Sequence, residues 1–479
     1  MSVPAAILLA GRDSLAREGV SRHRPTDPGG GHVTYPASPS PAPRGAWAEA
    51  GERLRASATT EPGRLRIIGA ALALLVLAFG SVAAWEVSDR FAAADDVVTR
   101  SQPLSADAAN LYRSLADADT AAATGFLTGA QERPEDLARY QKDIETASKL
   151  LVKAAANTGG SGGGDAARQI ATLNEGLPRY TGLIERARAN NRQGLPLGGA
   201  YLRYANQQMT SDLLPAAERL YAEETARLDR DSDDARVWPF VSLALGVLAF
   251  AVLFWAQRRN YHRTNRLLNH GLLAATAAST VILLWLAVGQ TIARTELNNA
   301  QVHGQESLAV LNEARINSLK ARANENLTLV ARGAVLTPDG KNDKYETDYT
   351  AGMAKLTTAL DRAKDLADDG SGVKPVAAAI ASAGEWRQRH TSASATDKAG
   401  NYEAALAKVI GTKGSTGECF DQVDAALETA IAHEQVEFDA SAEDGRNALT
   451  GLAVGAGVLA LLGAVGAILG IGRRLSEYR

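Results

Sequence analysis

Residues 449–472 read LTGLAVGAGVLALLGAVGAILGIG, without one charged side chain. Three more stretches share that character: IIGAALALLVLAFGSVAAW at 67–85, WPFVSLALGVLAFAVLFWA at 238–256 and GLLAATAASTVILLWLAVGQT at 271–291. A helix of about 20 residues crosses a hydrocarbon core of roughly 30 Å. At this length and purity a buried soluble helix is a poor alternative. The runs therefore predict four transmembrane helices, over 67–85, 238–256, 271–291 and 448–472. Trp85, Trp238 and Trp255 fall at the ends of their runs, where amphipathic rings sit at the headgroup level.

Charge orients the spans. The stretch before the first span carries nine Arg against six acids, a net +3; the loop 257–270 carries Arg258, Arg259, Arg263 and Arg266 with no acid; the end, 473–479, is net +2. These basic segments sum to +9 while the chain is −3, so segments 86–237 and 292–447 together hold −12. Loops rich in Lys and Arg stay in the cytoplasm. Both termini are expected inside a plasma membrane, the two acidic segments outside. Residues 1–66 are rich in Pro, Gly, Ser and Arg and bury too little apolar surface to order themselves. They read as a disordered cytoplasmic tail, or as the product of a start codon placed too far upstream.

Each acidic segment reads as four helices. In the first, breaks are expected at 129–134, at the glycine-rich run 159–164 and at 194–199, with a break or kink at Pro103 and a kink at Pro215. In the second they are expected at 337–340, 369–372 and 390–401, with an interruption at 411–417. Short connections favour antiparallel neighbours. The expected architecture is all-α: four spans carrying two extracytoplasmic up-and-down four-helix bundles, each on its own pair of spans. The second half copies the first, and Leu115 and Tyr140 correspond loosely to Leu319 and Tyr345. That pattern points to internal duplication.

Chemistry is scarce. The seven histidines, His23, His32, His262, His270, His303, His390 and His433, show no pair at metal-ligand spacing, and Cys419 is the lone cysteine. Cys419 reads as a small buried hydrophobe, with an interchain disulfide the alternative. No catalytic set, metal site or cofactor motif is expected, and no basic stripe with interleaved aromatics suggests nucleic acid. Ionisable groups, which mark transport pathways within the bilayer, are absent from the spans. The last span has small residues at four-residue spacing, Gly451 and Gly455, Gly463, Gly466 and Gly470, suited to close helix packing within the chain or in a homodimer.

Two clusters suit partner docking. The far tip of the first bundle gathers Arg186, Arg188, Asn190, Asn191, Arg192 and Gln193, followed by Tyr201 and Arg203, and Arg forks suit carboxylates. Alternatively these are helix-end residues that satisfy free carbonyls. On the inner side Arg258, Arg259, Arg263 and Arg266 could meet an adaptor or could serve orientation alone.

The stretches ADTAAATGFLTG (118–129), ARANNRQGLPLGGAYLR (187–203) with Met209 and Leu214-Pro-Ala-Ala217, and ARANENL (321–327) resemble an actinobacterial family of four-span membrane proteins of the GlnX type. The likeness covers residues 64–479. It implies a transducer working with an extracellular glutamate/aspartate-binding lipoprotein and the soluble Ser/Thr protein kinase G. More distantly, each bundle looks like the sensor domain of a bacterial chemoreceptor. The cytoplasmic mass is a tail, a loop and a stub, so the output of a sensor built this way must be a separate kinase or adaptor. The alternative function is a scaffold that organises envelope components without signalling.

Overall fold

A computed structural model describes residues 61–129, 132–158, 164–264 and 269–475. The expected tail before residue 61, the glycine-rich run at 159–163, Arg266 and the end of the chain beyond 475 lie outside these residues. The described residues form eleven helices, and the only β feature among them is an isolated bridge between Leu336 and Asp343. Four helices are long and apolar enough to cross a membrane, as expected of a multi-pass membrane protein.

Helix α1 joins Glu61–Asp96, a π-helical turn Val97–Ser101 and Gln102–Leu127, so the first span runs without a break into the first bundle. Pro103 does not break it. It stands in the first turn after the π turn, where its missing N–H costs least. Then come α2 (Pro134–Thr158) and α3 (Asp165–Arg192), and α4 joins Leu197–Gln208, a π turn Met209–Leu213 and Leu214–Arg236. Here too Pro215 follows a π turn in the first turn of the resumed helix. The second span is α5 (Phe240–Thr264).

The order then repeats. Helix α6 joins His270–Asn299, a π turn Ala300–Gln305 and Glu306–Ala331, and again carries a span into a bundle. It is followed by α7 (Lys344–Leu366), α8 (Gly370–Lys398), the short α9 (Tyr402–Ile410), α10 (Thr416–Leu449) and the last span, α11 (Leu452–Leu475). The interruption expected near 411–417 is present between α9 and α10. The break expected at 390–401 is much shorter, because α8 stays helical through Lys398. His390 and Ala393 are buried within it, and the hydroxyls of Thr391 and Thr396 donate back to the carbonyls of Arg387 and Ser392.

The spans do not stand as two separate pairs. Helix α11 packs against both α1 and α6, α5 closes the ring, and one apolar cluster from Leu72 through Leu253 and Leu286 to Ile471 runs through all four. The packing is close at glycine. A Cβ on Gly470 would sit 2.6 Å from Asn269 Oδ1 and 2.8 Å from the Gly271 Cα, and one on Gly463 or Gly466 would meet Ala278 or the Gly271 carbonyl. Gly455 is covered by the Trp285 ring. These four glycines are thus used inside the chain. Gly451 is not a packing residue. It is exposed with φ +77, and it breaks the helix between α10 and α11, a conformation that suits glycine.

At the bundle end of the spans, the break at 237–239 leaves carbonyls unpaired within the helix. Arg90 Nε donates to the Val237 carbonyl at 2.8 Å and Gln290 Nε2 to the same oxygen at 3.2 Å. Glu86 accepts from the Ser242 amide at 2.9 Å. Above this point the π turns of α1 and α6 and helices α4 and α10 pack Val97, Leu228, Ala300 and Phe438 together.

The two bundles are up-and-down in connection, but they share one core. A single apolar cluster includes Leu111, Leu115, Tyr180 and Leu213 of the first bundle with Leu319, Leu327, Trp386 and Val423 of the second. Its centre is the α1–α6 contact. Every residue of α1 from Ser114 to Gly125 is buried, so the helix has no solvent face there and packs all round.

Candidate functional site

The seam between α1 and α6 is where the two bundles exchange polar contacts. Thr120 Oγ1 donates to the Leu319 carbonyl at 2.9 Å, and Asn326 Nδ2 donates to Thr124 Oγ1 at 2.8 Å. Arg139 of α2 pairs with Asp117 of α1 at 2.8 Å and reaches Asp424 of α10 at 3.4 Å, while Arg315 of α6 pairs with Asp424 at 2.7 Å. Burial and the neighbouring Asp117 push the Asp143 carboxyl up to about 8.

A crevice opens on each side of the seam. The first, about 250 Å³, is walled by α1 and α4 of one bundle and α6 and α7 of the other; Asp119, Asn206 and Glu218 line it opposite Lys320, Lys344 and Asp348. The second, about 550 Å³, is walled by α6 and α10 with α1 and α2; it holds Arg133, Asp136, Arg139, Arg322 and Asp421. Exchanging the bundles exchanges the crevices: α1 takes the place of α6, α2 of α7 and α4 of α10. Their chemistry differs. In the second crevice the arginines are already committed, Arg133 to Asp136 at 2.8 Å, Arg139 to Asp117 and Arg322 to Glu325 at 2.6 Å.

In the first crevice two charged groups make no direct ion pair among the described residues. Asp119 is buried and accepts from Asn206 Nδ2 at 2.6 Å and from the Tyr180 hydroxyl at 3.1 Å, both neutral donors. Burial pushes its carboxyl up to about 6 against the pull of those two bonds. Lys320 donates to the Tyr112 hydroxyl at 2.8 Å, which donates in turn to Glu218 at 3.4 Å; burial lowers the Lys320 pKa against the pull of Glu218.

The second bundle centres on Glu325, which accepts from Arg322 at 2.6 Å, His390 Nδ1 at 2.8 Å and Trp386 Nε1 at 3.1 Å. His390 Nε2 lies 3.3 Å from Glu346, and its ring stacks on Tyr349 at 3.7 Å. Burial opposes the imidazolium, but the two carboxylates outweigh it and lift His390 to about 9. Burial also opposes the Glu325 carboxylate, yet His390 and Arg322 hold it below the ordinary range. Arg322 further donates to Thr416 and to the Val409 carbonyl, which ties the α9–α10 turn to this centre.

The tip residues expected to dock a partner divide into two groups. The loops around 129–134 and 193–196 do meet: Asn191 Nδ2 donates to the carbonyls of Phe126 at 2.9 Å and Gly129 at 3.3 Å. Arg188 is not a surface residue. It lies over the Tyr140 ring at 4.1 Å and pairs with Glu132 at 3.0 Å, because its position on α3 faces the core. Asn190 bonds back to the Arg186 carbonyl as a helix end does, and Tyr201 and Arg203 are half-buried. Arg186, Arg192 and Gln193 are exposed. At the opposite end of the spans Arg258 is exposed and Arg259 lies 5.2 Å over Trp255. Arg263 lies on α5 with its side chain, like Arg266, outside what is described.

Asp369 meets His433 and Glu437, which stand one turn apart on α10, at the span side of the second bundle. His433 Nε2 lies 3.2 Å from Asp369 and 3.3 Å from Glu437. Their ligand atoms all lie within 4.8 Å of one another, a spacing a divalent cation could use. His433 itself reaches both carboxylates. Sequence spacing missed this set, as it missed Asp119, Glu325 and His390. A carboxylate set among Ala and Leu, as in LADADTAAA at 115–123, is the one signal that could have marked a buried acid.

No curated protein and no solved structure matches the chain. Residues 93–233 match the family model of the actinobacterial sensor domain. That match covers the first bundle from the junction at the end of the first span to the last turns of α4, and supports reading the chain as an actinobacterial sensor protein.

Proposed function

We propose that the chain is a transmembrane signal transducer. The two bundles stand outside the cell, receive an amino-acid-binding lipoprotein, and pass the event through the spans to a cytoplasmic Ser/Thr kinase or adaptor. The observation that carries this reading is mechanical. Helices α1 and α6 each run as one body from a span into the α1–α6 seam. A change at the seam therefore displaces span one relative to span three with no flexible linker to absorb it. The π turns at 97–101 and 300–305 share one apolar cluster through Val97 and Ala300, and such turns are frequent at functional sites. The exposed tip residues Arg186, Arg192 and Gln193 offer the docking surface, and Arg258 with its neighbours offers the inner one. The sensor-domain match supports the role.

The test is co-purification of the full chain from detergent with a solute-binding lipoprotein and a kinase, with and without glutamate or aspartate. Ligand-dependent recovery of both partners is expected. Recovery of neither, in a preparation that remains folded, would leave only the scaffold reading.

A further inference from the structure

We infer that the first inter-bundle crevice is a direct binding site for a free α-amino acid, with Lys320 taking the carboxylate and Asp119 the ammonium. Three observations combine. The crevice is enclosed by four helices from both bundles and has a volume of about 250 Å³, room for roughly eight waters at ~30 Å³ each, or one small molecule. Its two walls carry opposite charges, and neither Asp119 nor Lys320 makes a direct ion pair among the described residues. Asp119 is held by the neutral donors Asn206 and Tyr180, and Lys320 by the Tyr112 hydroxyl, through which it faces Glu218. A buried carboxylate without counter-charge is costly, and a zwitterion supplies Asp119 with a cation and Lys320 with a direct anionic partner at once.

The remaining lining fits the same class. Asn324 and Thr210 supply neutral polar groups, Lys344 and Asp348 pair with each other at 2.6 Å, and Leu214 and Pro215 supply apolar surface for a side chain. The second crevice occupies the equivalent place, yet its arginines are already paired within the chain. Only one of the two is chemically open. Lys320 belongs to α6 and Asp119 to α1, so the ligand would bridge the two long helices.

Binding itself stands on these residues alone. Only its consequence for the spans rests on the transducer reading. The experiment uses the full chain in detergent with no partner protein, and calorimetric titration with each of the twenty standard L-amino acids, with succinate and with 3-aminopropanoate. Succinate is aspartate without its ammonium, and 3-aminopropanoate is aspartate without its α-carboxylate. Saturable binding of at least one amino acid is expected. Lys320→Met and Asp119→Asn should each weaken it at least tenfold, succinate should not bind, and 3-aminopropanoate, whose ammonium stands one carbon further from its carboxylate, should bind more weakly than the α-amino acid. Because Asp119→Asn alters a buried site, Asn324→Leu at the crevice wall serves as a second variant and should also weaken binding. Absence of binding by all twenty, or binding unchanged in Lys320→Met and Asn324→Leu, overturns the inference. Lipoprotein-dependent kinase recovery without free amino-acid binding would overturn this site and leave the transducer reading standing. Binding without any partner recovery would do the reverse.

Discussion

Replacing His390 by Gln should remove a pH dependence that the intact chain shows between neutral and alkaline solution. The imidazole rises from 6.5 in the unfolded chain to about 9 in the fold, held by Glu325 and Glu346. A group raised in this way contributes its stability fully below pH 6.5 and loses it as pH climbs through 9. At 1.36 kcal/mol per pH unit the contribution is about 3 kcal/mol. Glu325 shifts the other way. Its contribution is present above 4.5 and is lost as pH falls, so the cluster is most stable between those limits. Asp119, up to about 6, and Asp143, up to about 8, also favour the fold at low pH. Both are present in the variant too, so the comparison cancels them. The assay is denaturant unfolding of wild type and His390→Gln in one detergent, from pH 6 to pH 10. The wild type should lose about 3 kcal/mol more than the variant across that range. Parallel curves would show that His390 is not held as an imidazolium by the two carboxylates.

Three further outcomes are expected. Trp386→Ala should cost about 3–5 kcal/mol in unfolding experiments, since the ring is fully buried between Tyr349 and Phe420; a change below 1 kcal/mol would refute the shared core at that point. Gly470→Val should unfold the span bundle at markedly lower temperature, whereas Gly451→Ala should act only through its positive φ and cost about 1 kcal/mol; equal effects would contradict the distinct roles given to the two glycines. Arg186→Glu with Arg192→Glu should abolish pull-down of the outer partner with the melting temperature unchanged, because both side chains are exposed; undiminished pull-down would leave the tip as plain surface.

The spans were legible in the sequence because a charge-free run of about 20 residues has few alternatives. Helix order and most breaks were legible for the same kind of reason, since Gly, Pro and Asn mark them. What was hidden is the relation between the bundles. An amphipathic reading assigns each helix one buried face, and α1 between Ser114 and Gly125 has none exposed. Its alanines read as helix formers, but they serve as a flat surface for α6. Its acids read as solvated, yet Asp117 pairs with Arg139 and Asp119 sits in the crevice. The tip was legible as a place, because the two loops do meet, but not residue by residue. Whether Arg188 faces solvent or Tyr140 depends on the rotation of α3, which charge alone does not fix. His390 was hidden behind a Ser- and Thr-rich stretch that reads as a loop and folds as helix, its hydroxyls bonded to carbonyls one turn back.

The central claim is that an event at the α1–α6 seam moves span one against span three. Its most direct test is a pulsed electron-paramagnetic distance between spin labels at Arg66→Cys and His270→Cys, both exposed at the span ends away from the bundles, on a Cys419→Ala background. The protein is held in nanodiscs, and the amino acid found by titration, or the loaded lipoprotein, is added until calorimetry on the same sample shows saturation. A displaced distance distribution is expected on saturation, abolished by a glycine triplet in place of residues 97–99. Identical distributions with and without bound ligand would contradict it.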